Sequence, residues 1–275
     1  MRSARVGAPG WDIACPVRPG RLPGVRMAGF SDRAVGLAGI KMVPHPAVTV
    51  IVDIGGGLLV DHSGGRQQLG SVVAGLAPVG AAGRGGPANF ECLQVRLSPL
   101  VAHAVLGSGA ELSGTVVALD ELLGREAVRI QERLRAAASW EDRFAIAEAA
   151  FARLQETGRA VDPEVAFAWG RLVASRGRVR VERLAAETGW SRKRLWARFR
   201  SQIGLTPKRA GLLVRFDQAA RLLAAGHSAA ETAADSGYAD QSHLHRDVVA
   251  FAGMTPAAIA VTPFLAVDDV AWPDA

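Results

Sequence analysis

Residues 238–247, YADQSHLHRD, place two histidines two positions apart among polar side chains of kinds that often bind metal ions or transfer protons. On a continuous helix, however, His243 and His245 point about 200° apart, because each residue advances the helix by about 100°. Side chains on opposite sides of a helix cannot chelate one ion, so the spacing argues against a metal site. Two interpretations remain for each histidine, a contact with a binding partner or an ordinary solvated side chain.

The histidine stretch lies in the second copy of an internal repeat. Residues 184–207 (LAAETGWSRKRLWARFRSQIGLTP) and 232–256 (TAADSGYADQSHLHRDVVAFAGMTP) share two alanines, an acidic residue, a small hydroxyl residue, a glycine, an aromatic residue and a final Gly-x-Thr-Pro. The copies are offset by 48 residues at the first shared glycine and by 49 at the final proline. The repeat therefore predicts two copies of one supersecondary unit, the second with one additional residue.

Each copy has the pattern of a helix, a tight turn and a second helix. Gly189 and Gly237 suit the left-handed turn that ends a first short helix. Ser191 and Asp240 are suited to cap the second helix, and the Thr-Pro pair of each copy supplies a cap for the helix that follows. The sequence therefore predicts two helix-turn-helix units, in which the second helix normally lies in the DNA major groove.

One long helix, over about 207–225, is predicted to join the two units. Its sequence carries an apolar stripe and is followed by Gly226. Ser228 and Glu231 then form a candidate capping box that begins the second unit.

The second helix of each unit separates into a buried and an exposed face. The predicted buried stripes are Leu195, Phe199 and Ile203 in the first unit and Leu244, Val248, Phe251 and Ala252 in the second. The residues predicted to face outward are Lys193, Ala197 and Arg200, then Ser242, Arg246 and Val249, with His245 at the margin. Both outward faces are compatible with a groove of DNA.

Basic residues are concentrated in the same part of the chain. The whole sequence has a net charge of +6, but residues 170–256 contain 15 Lys and Arg against 7 Asp and Glu, and the remainder contains 17 against 19. A basic region joined to a roughly neutral one is typical of a protein that binds a polyanion with one domain. A basic solvated surface without a partner is the common alternative, and the repeat argues against it.

Residues 163–261 resemble the DNA-binding domain of the AraC/XylS family of bacterial transcription regulators. The resemblance is carried by the duplicated frame and by the second copy, SGYADQSHLHRD followed by GMTP. It implies two helix-turn-helix units on a central helix, with recognition helices that enter successive major grooves about 34 Å apart. The implied partners are double-stranded operator or promoter DNA and, for an activator, RNA polymerase.

The resemblance implies candidate base contacts, and the charge and position of other side chains indicate candidate phosphate contacts. The candidate base contacts are Lys193, Trp196, Ala197, Gln241, Ser242, His245 and Arg246. The candidate phosphate contacts are Ser191, Arg192, Arg194, Arg198, Arg200 and His243. Arg246 is suited to a bidentate contact with guanine and Gln241 to adenine, whereas phosphate contacts position the protein without reading sequence. Trp196 lies at the edge of the buried stripe, so core packing is the alternative for it.

The second recognition helix departs from the family pattern. Val248, Val249 and Ala250 stand where a phenylalanine followed by basic residues is usual, and Ala197 stands where arginine is frequent in the first helix. Fewer charges of the second unit can therefore reach the DNA backbone. We expect the first unit to supply most of the affinity.

The N-terminal part of the chain has a different pattern. From Pro46 to Leu97, β-branched runs alternate with glycine-rich turns, which predicts antiparallel strands in a barrel or jelly roll. Two amphipathic helices follow, suited to a dimer interface or to packing on the β domain. The predicted fold class is α+β, with a regulatory domain over 1–157, a double helix-turn-helix domain over 163–261 and a tail over 262–275. The regulatory domain is expected to sense a small-molecule effector or to mediate homodimerisation.

Catalytic chemistry has little support in the sequence. His45, His62 and His103 are isolated and are interpreted as structural, and two distant cysteines support neither a disulfide framework nor a zinc cluster. We therefore predict no catalytic residues, no metal, no cofactor and no enzyme activity. No apolar run is long enough to span a membrane and no export signal is evident, so a cytoplasmic protein is expected. The alternatives are a non-specific architectural DNA-binding protein and an enzyme with a basic DNA-tethering domain.

Overall fold

The computed structural model describes residues 3–6, 11–17, 20–32, 40–62, 66–77, 81–85, 90–107 and 109–272. The strands are β1 (Ser3–Val6), β2 (Trp11–Ala14), β3 (Val25–Asp32), β4 (Ile40–Lys41), β5 (Val48–Asp53), β6 (Leu58–His62), β7 (Arg66–Leu69), β8 (Val72–Ala74), β9 (Ala82–Gly85), β10 (Glu91–Leu97) and β11 (Val116–Ala118). The helices are α1 (Pro99–Leu106), α2 (Gly109–Leu112), α3 (Leu119–Leu123), α4 (Arg125–Ala136), α5 (Trp140–Glu156), α6 (Pro163–Ala174), α7 (Val181–Thr188), α8 (Arg192–Ile203), α9 (Pro207–Ala224), α10 (Ala229–Ser236), α11 (Gln241–Ala252), α12 (Pro256–Ala260) and α13 (Pro263–Ala271).

The described strands form two antiparallel sheets. The larger has the order β1-β2-β3-β10-β5-β8-β11, and the smaller has the order β4-β9-β6-β7. Strand β10 lies at the centre of the larger sheet, where Cys92 pairs with Phe30 of β3 and with Asp53 of β5. The antiparallel N-terminal region predicted from the glycine-separated runs is confirmed.

Alternate side chains of the larger sheet contribute to two different cores. Val50 and Val95 face the helices, whereas Phe30, Ile51 and Cys92 pack with the smaller sheet. This alternation follows from the two-residue period of a strand, and it explains why β5 is buried along its whole length. The two sheets therefore face each other across an apolar layer.

The amphipathic pair α4 and α5 packs against its own N-terminal region. Phe144, Ala147 and Phe151 of α5 are buried in the core that faces the larger sheet. Full burial of each large apolar side chain stabilises the fold by about 1.5–3 kcal/mol. Of the two outcomes expected for this apolar face, the structure shows the intramolecular one.

The C-terminal helices have the predicted order and nearly the predicted bounds. Helix α9 spans Pro207–Ala224. Its predicted apolar stripe consists of Leu212, Phe216, Ala219 and Leu223, of which the last three are buried and Leu212 is half-buried. The capping box is formed, since the Ser228 hydroxyl accepts a hydrogen bond from the Glu231 N–H and Glu231 binds the Ser228 N–H. Both Thr-Pro pairs cap the helices that follow them.

Helices α1, α8 and α13 connect the N-terminal and C-terminal parts. Helix α8 packs against α1 and α2, and α13 packs against β1, β2, β4 and α9. One of the two apolar cores, the one that contains Val50 and Val95, consequently includes residues of both parts of the chain. None of the helices in the described ranges is long and apolar enough to cross a bilayer.

Candidate nucleic-acid interface

The first helix-turn-helix unit consists of α7 and α8. Helix α7 ends at Gly189, which has the left-handed φ of 69° that the turn requires. Ser191 caps α8 by accepting a hydrogen bond of 3.2 Å from the Arg194 N–H. The predicted buried stripe is observed, with Leu195 and Phe199 completely enclosed. Packing of this stripe leaves the opposite face of α8 free to meet a partner.

The outward face of α8 is basic and aromatic. Lys193, Ala197 and Arg200 are exposed, and the Trp196 side chain is 44% exposed, so core packing is not its role. The Arg200 guanidinium carbon lies 5.1 Å from the Trp196 ring centroid. Stacking of this kind orients an arginine while its N–H groups stay available to an anion.

Two further arginines of α8 have carboxylate partners. Arg198 binds the Asp162 carboxylate through Nε at 2.6 Å and Nη2 at 2.8 Å, and Arg192 binds Glu182 at 3.2 Å. The hydrogen bond from Arg198 lowers the pKa of Asp162 below its ordinary value. Asp162 precedes α6 at the N-cap position but makes no capping hydrogen bond, because its carboxylate is taken by Arg198. Arg198 therefore links the start of α6 to α8.

The second unit consists of α10 and α11 and repeats this construction. Gly237 ends α10 with a φ of 72°, and the Asp240 carboxylate accepts a hydrogen bond of 2.7 Å from the His243 N–H. Leu244 and Val248 are completely enclosed in the predicted stripe. The same turn chemistry therefore presents a second recognition helix.

The outward face of α11 carries polar side chains and less charge. Gln241, Ser242, His245 and Arg246 are exposed. The Arg246 Nε donates to the Ser242 carbonyl at 3.3 Å, one turn earlier, and this hydrogen bond does not use the terminal nitrogens. Val249 is also exposed, at 42% of the residue's surface, so an apolar group lies beside these polar ones.

His243 lies apart from His245. Its ring packs edge-on against Tyr238 with centroids 5.1 Å apart, and Nε2 is 3.9 Å from an Asp247 oxygen. His243 is half-buried whereas His245 is exposed, so the two imidazoles occupy different environments. No group of three His, Cys, Asp or Glu side chains in the described ranges is arranged to hold a metal ion.

Contacts between the two units involve arginines that the sequence did not indicate. Arg178, before α7, binds the Asp235 carbonyl at the end of α10. Arg215 of α9 lies 5.4 Å from the Tyr238 ring centroid and donates to the Gly177 carbonyl at 3.3 Å. The partners are distant along the chain, so no local pattern could reveal them. Together these contacts link the first unit to the second.

The isolated histidines and the cysteines have structural surroundings. His45 is buried with Nε2 3.1 Å from the Thr49 hydroxyl, and His103 is buried in α1. The His62 side chain lies outside the described part of the chain. Burial raises the pKa of the Cys15 and Cys92 thiols, and this disfavours their reactive thiolate forms.

Comparisons with known proteins agree with this geometry. Residues 184–260 match the family described as "Helix-turn-helix domain", a range that includes both recognition helices. The fold is similar to that of ToxT from Vibrio cholerae in its P21 crystal form, with a TM-score of 0.50 and 10% identity over 87% of this chain and 98% of that chain.

Two solved structures of single domains match a shorter part of this chain. The DNA-binding domain of AdpA, solved with a target DNA, has a TM-score of 0.34 and 27% identity over 42% of this chain and 100% of that chain. The C-terminal domain of AraT, a response regulator from Geobacillus stearothermophilus, has a TM-score of 0.35 and 20% identity over 37% of this chain and 87% of that chain. The comparison with curated proteins gave no match.

Proposed function

We propose that the protein is a sequence-specific transcription regulator of the AraC/XylS type that reads two successive major grooves of DNA, a proposal supported by the helix-turn-helix match over residues 184–260. The observation that carries this proposal is the duplication. Two recognition helices, α8 and α11, are capped alike, buried alike and joined by α9, and each leaves a polar face exposed.

The proposed base contacts are those of the outward faces. They are Lys193, Trp196 and Ala197 in α8 and Gln241, Ser242, His245 and Arg246 in α11. Arg246 is assigned to guanine and Gln241 to adenine, since a guanidinium and a carboxamide match those base edges with two hydrogen bonds each. Ala197 and the Trp196 ring are suited to a thymine methyl group.

The proposed phosphate contacts rest on exposed cations. Arg194 and Arg200 are exposed and stacked on Trp190 and Trp196. Arg192 can exchange Glu182 for a phosphate at small cost, because both side chains are exposed and surface ion pairs contribute about 0–1 kcal/mol. Ser191 at the start of α8 and His243 near the start of α11 are also proposed as phosphate contacts. Arg198 is left out because Asp162 holds it in two hydrogen bonds.

The N-terminal region is proposed to modulate DNA binding. Its sheets and helices share a core with the DNA-binding helices, so a change in one part can alter the other. The modulating signal is a small-molecule effector. A homodimer would use a surface other than the apolar face of α5, which is already buried. If the protein is an activator, we propose that it also contacts RNA polymerase.

In vitro selection of DNA sites with the full chain tests the function. At fixed salt of roughly 150 mM, a selected site should bind about a thousandfold or more tightly than unrelated DNA. If the recovered and the unrelated duplexes bound with equal affinity, the proposal of sequence-specific regulation would be wrong. The protein would then be interpreted as a non-specific architectural DNA-binding protein.

A further inference from the structure

A cavity lies between the two sheets and is closed by α13. Its inner wall includes the apolar side chains of Phe30, Met42 and Ile51, and its outer wall includes Phe264 and Trp272. The remaining space is about 60 Å³, which holds only a few water molecules. An organic ligand in this cavity therefore needs the space that α13 occupies.

One charged side chain of the larger sheet faces the cavity. Arg96 of β10 is 3% exposed, and both of its terminal nitrogens bind the Asp268 carboxylate of α13, one of them at 3.1 Å. The Trp272 ring covers the guanidinium, with its centroid 4.5 Å from the central carbon. Arg96 Nε is buried and has no hydrogen-bond partner among the described residues. A buried N–H without a partner carries an unfavourable desolvation cost, so this site favours a further acceptor.

The charges next to Arg96 favour an anion. The charged residues of this cluster are Arg26, Arg96, Arg221, Asp217 and Asp268, three cations and two carboxylates among the described residues. His45 faces the same arginines, and burial together with their positive charge holds its pKa well below the ordinary value. Since His45 is then neutral, the three cations outnumber the two carboxylates that bind them, and the further carboxylate that acts on Arg221, Asp269, is exposed to solvent. A buried anionic group would neutralise this local excess of positive charge.

Asp268 also contacts the central helix of the DNA-binding region. Arg221 of α9 places its Nη2 3.4 Å from an Asp268 oxygen, while its Nε binds Asp217 at 3.3 Å. Asp268 thereby bridges β10 and α9. The end of α13 is held as well, because the Cys15 thiol contacts the carbonyl oxygens of Val270 and Ala271 at 3.7 Å.

We propose that α13 is an internal latch whose Asp268 carboxylate occupies the place of an effector, an apolar molecule with one anionic group such as a carboxylate. The effector enters the cavity as α13 moves away, its anionic group binds Arg96, and its apolar part packs against Phe30 and Ile51. Asp268 then leaves Arg221, so occupancy of the cavity changes the restraint on α9. This inference rests on the proposed function, because it assigns the class of effector and the route of its signal.

Hydrogen exchange of the full chain, measured by mass spectrometry without DNA, tests the latch. Octanoate and octanol are the probes, since they share an apolar chain and differ in charge. We expect octanoate to accelerate exchange of residues 263–272 by about tenfold or more and octanol to leave it unchanged. Binding of octanoate with no change in the exchange of α13 would overturn the latch.

The variant Asp268→Asn provides the second measurement. It should raise exchange of α13 without any probe and bind octanoate more tightly than the wild type, because the internal competitor is weakened. The matched control is Asp269→Asn, which removes the same charge from the exposed side of α13 and should behave as the wild type. If octanoate bound neither the wild type nor Asp268→Asn, the proposed effector site would be wrong. The DNA-selection experiment would still test the proposed function independently.

Discussion

The arginines of α8 differ in the side chains that they contact. Arg200 is exposed over Trp196, whereas Arg198 is engaged by the Asp162 carboxylate in two hydrogen bonds. Sequence position alone could not separate them, because both lie on the same helix and Asp162 lies 36 residues away from Arg198. Only the fold shows which of the two arginines joins two helices.

This difference predicts two salt dependences. Arg200→Ala should reduce the slope of log Kobs against log salt by about 0.9, the value for one lost phosphate contact, because it removes an exposed cation. Arg198→Ala should leave the slope unchanged and lower stability instead. Fluorescence anisotropy on one selected duplex over a salt series measures both slopes, with Arg129→Ala of α4 as the control. A reduced slope for Arg198→Ala would show that Asp162 releases it to DNA.

His45 predicts a pH dependence of stability. Burial and the neighbouring Arg96 and Arg221 depress its folded-state pKa, so the native protein resists protonation that the unfolded chain accepts below about pH 6.5. Its contribution to stability is therefore present above that pH and is lost as pH falls, by up to about 1.4 kcal/mol per pH unit.

Urea unfolding of the wild type and His45→Gln, followed over a pH series, isolates this contribution. The difference in unfolding free energy between the two proteins should shrink from about pH 7 to about pH 5, because only the wild type takes up the additional proton on unfolding. Parallel curves for the two proteins would mean that His45 is not held neutral.

Two glycine turns on either side of α7 differ in the space around the glycine. Gly177, between α6 and α7, has a φ of 72°, and an added Cβ would lie 2.0 Å from the Gly211 carbonyl oxygen of α9. Gly189 has a similar φ of 69°, but nothing lies within 4 Å of an added Cβ. The first glycine is required by close packing, the second by backbone conformation alone.

Alanine at these two positions should therefore have unequal effects. Gly189→Ala should cost about 1–2 kcal/mol from left-handed strain, and Gly177→Ala roughly 3 kcal/mol or more because backbone must move as well. Urea midpoints of the full-length variants measure the difference. Equal losses would show that the turn near α9 is not rigidly packed.

The two recognition helices are expected to contribute unequally to affinity. Exposed cations of α8 include Lys193, Arg194 and Arg200, whereas the outward face of α11 includes Arg246 with polar and apolar neighbours. Changes in α8, Arg192→Ala or Arg200→Ala, should therefore lower the salt slope more than His243→Ala does in α11. The same anisotropy series measures this, and equal slopes would contradict a dominant first unit.

At the scale of the whole molecule, the helix-turn-helix region could be predicted in detail. Its turns, caps and buried stripes depend on residues within a few positions of one another, such as Ser228 with Glu231. The strands before residue 46 were not predicted, since short runs such as 3–6 and 11–14 show no clear alternation.

The tail shows the other limit of prediction from sequence. Residues 263–271 form a helix that Asp268 joins to Arg96, a partner 172 residues away. Asp162 stands at the N-cap position of α6 but binds Arg198 instead of a backbone N–H. In both cases an acidic side chain forms an ion pair with an arginine that is distant in sequence. Such pairs depend on how whole helices and strands pack, so the local sequence pattern does not predict them.

The central claim is that one chain reads DNA with two separate recognition helices. Site selection with the full chain, repeated with Lys193→Ala and with Arg246→Ala at the same salt, tests this claim most directly. The wild type should select a motif of two half-sites about one helical turn apart, and each variant should relax only one half. A motif with one half-site, or one that both variants relax at the same positions, would contradict dual readout.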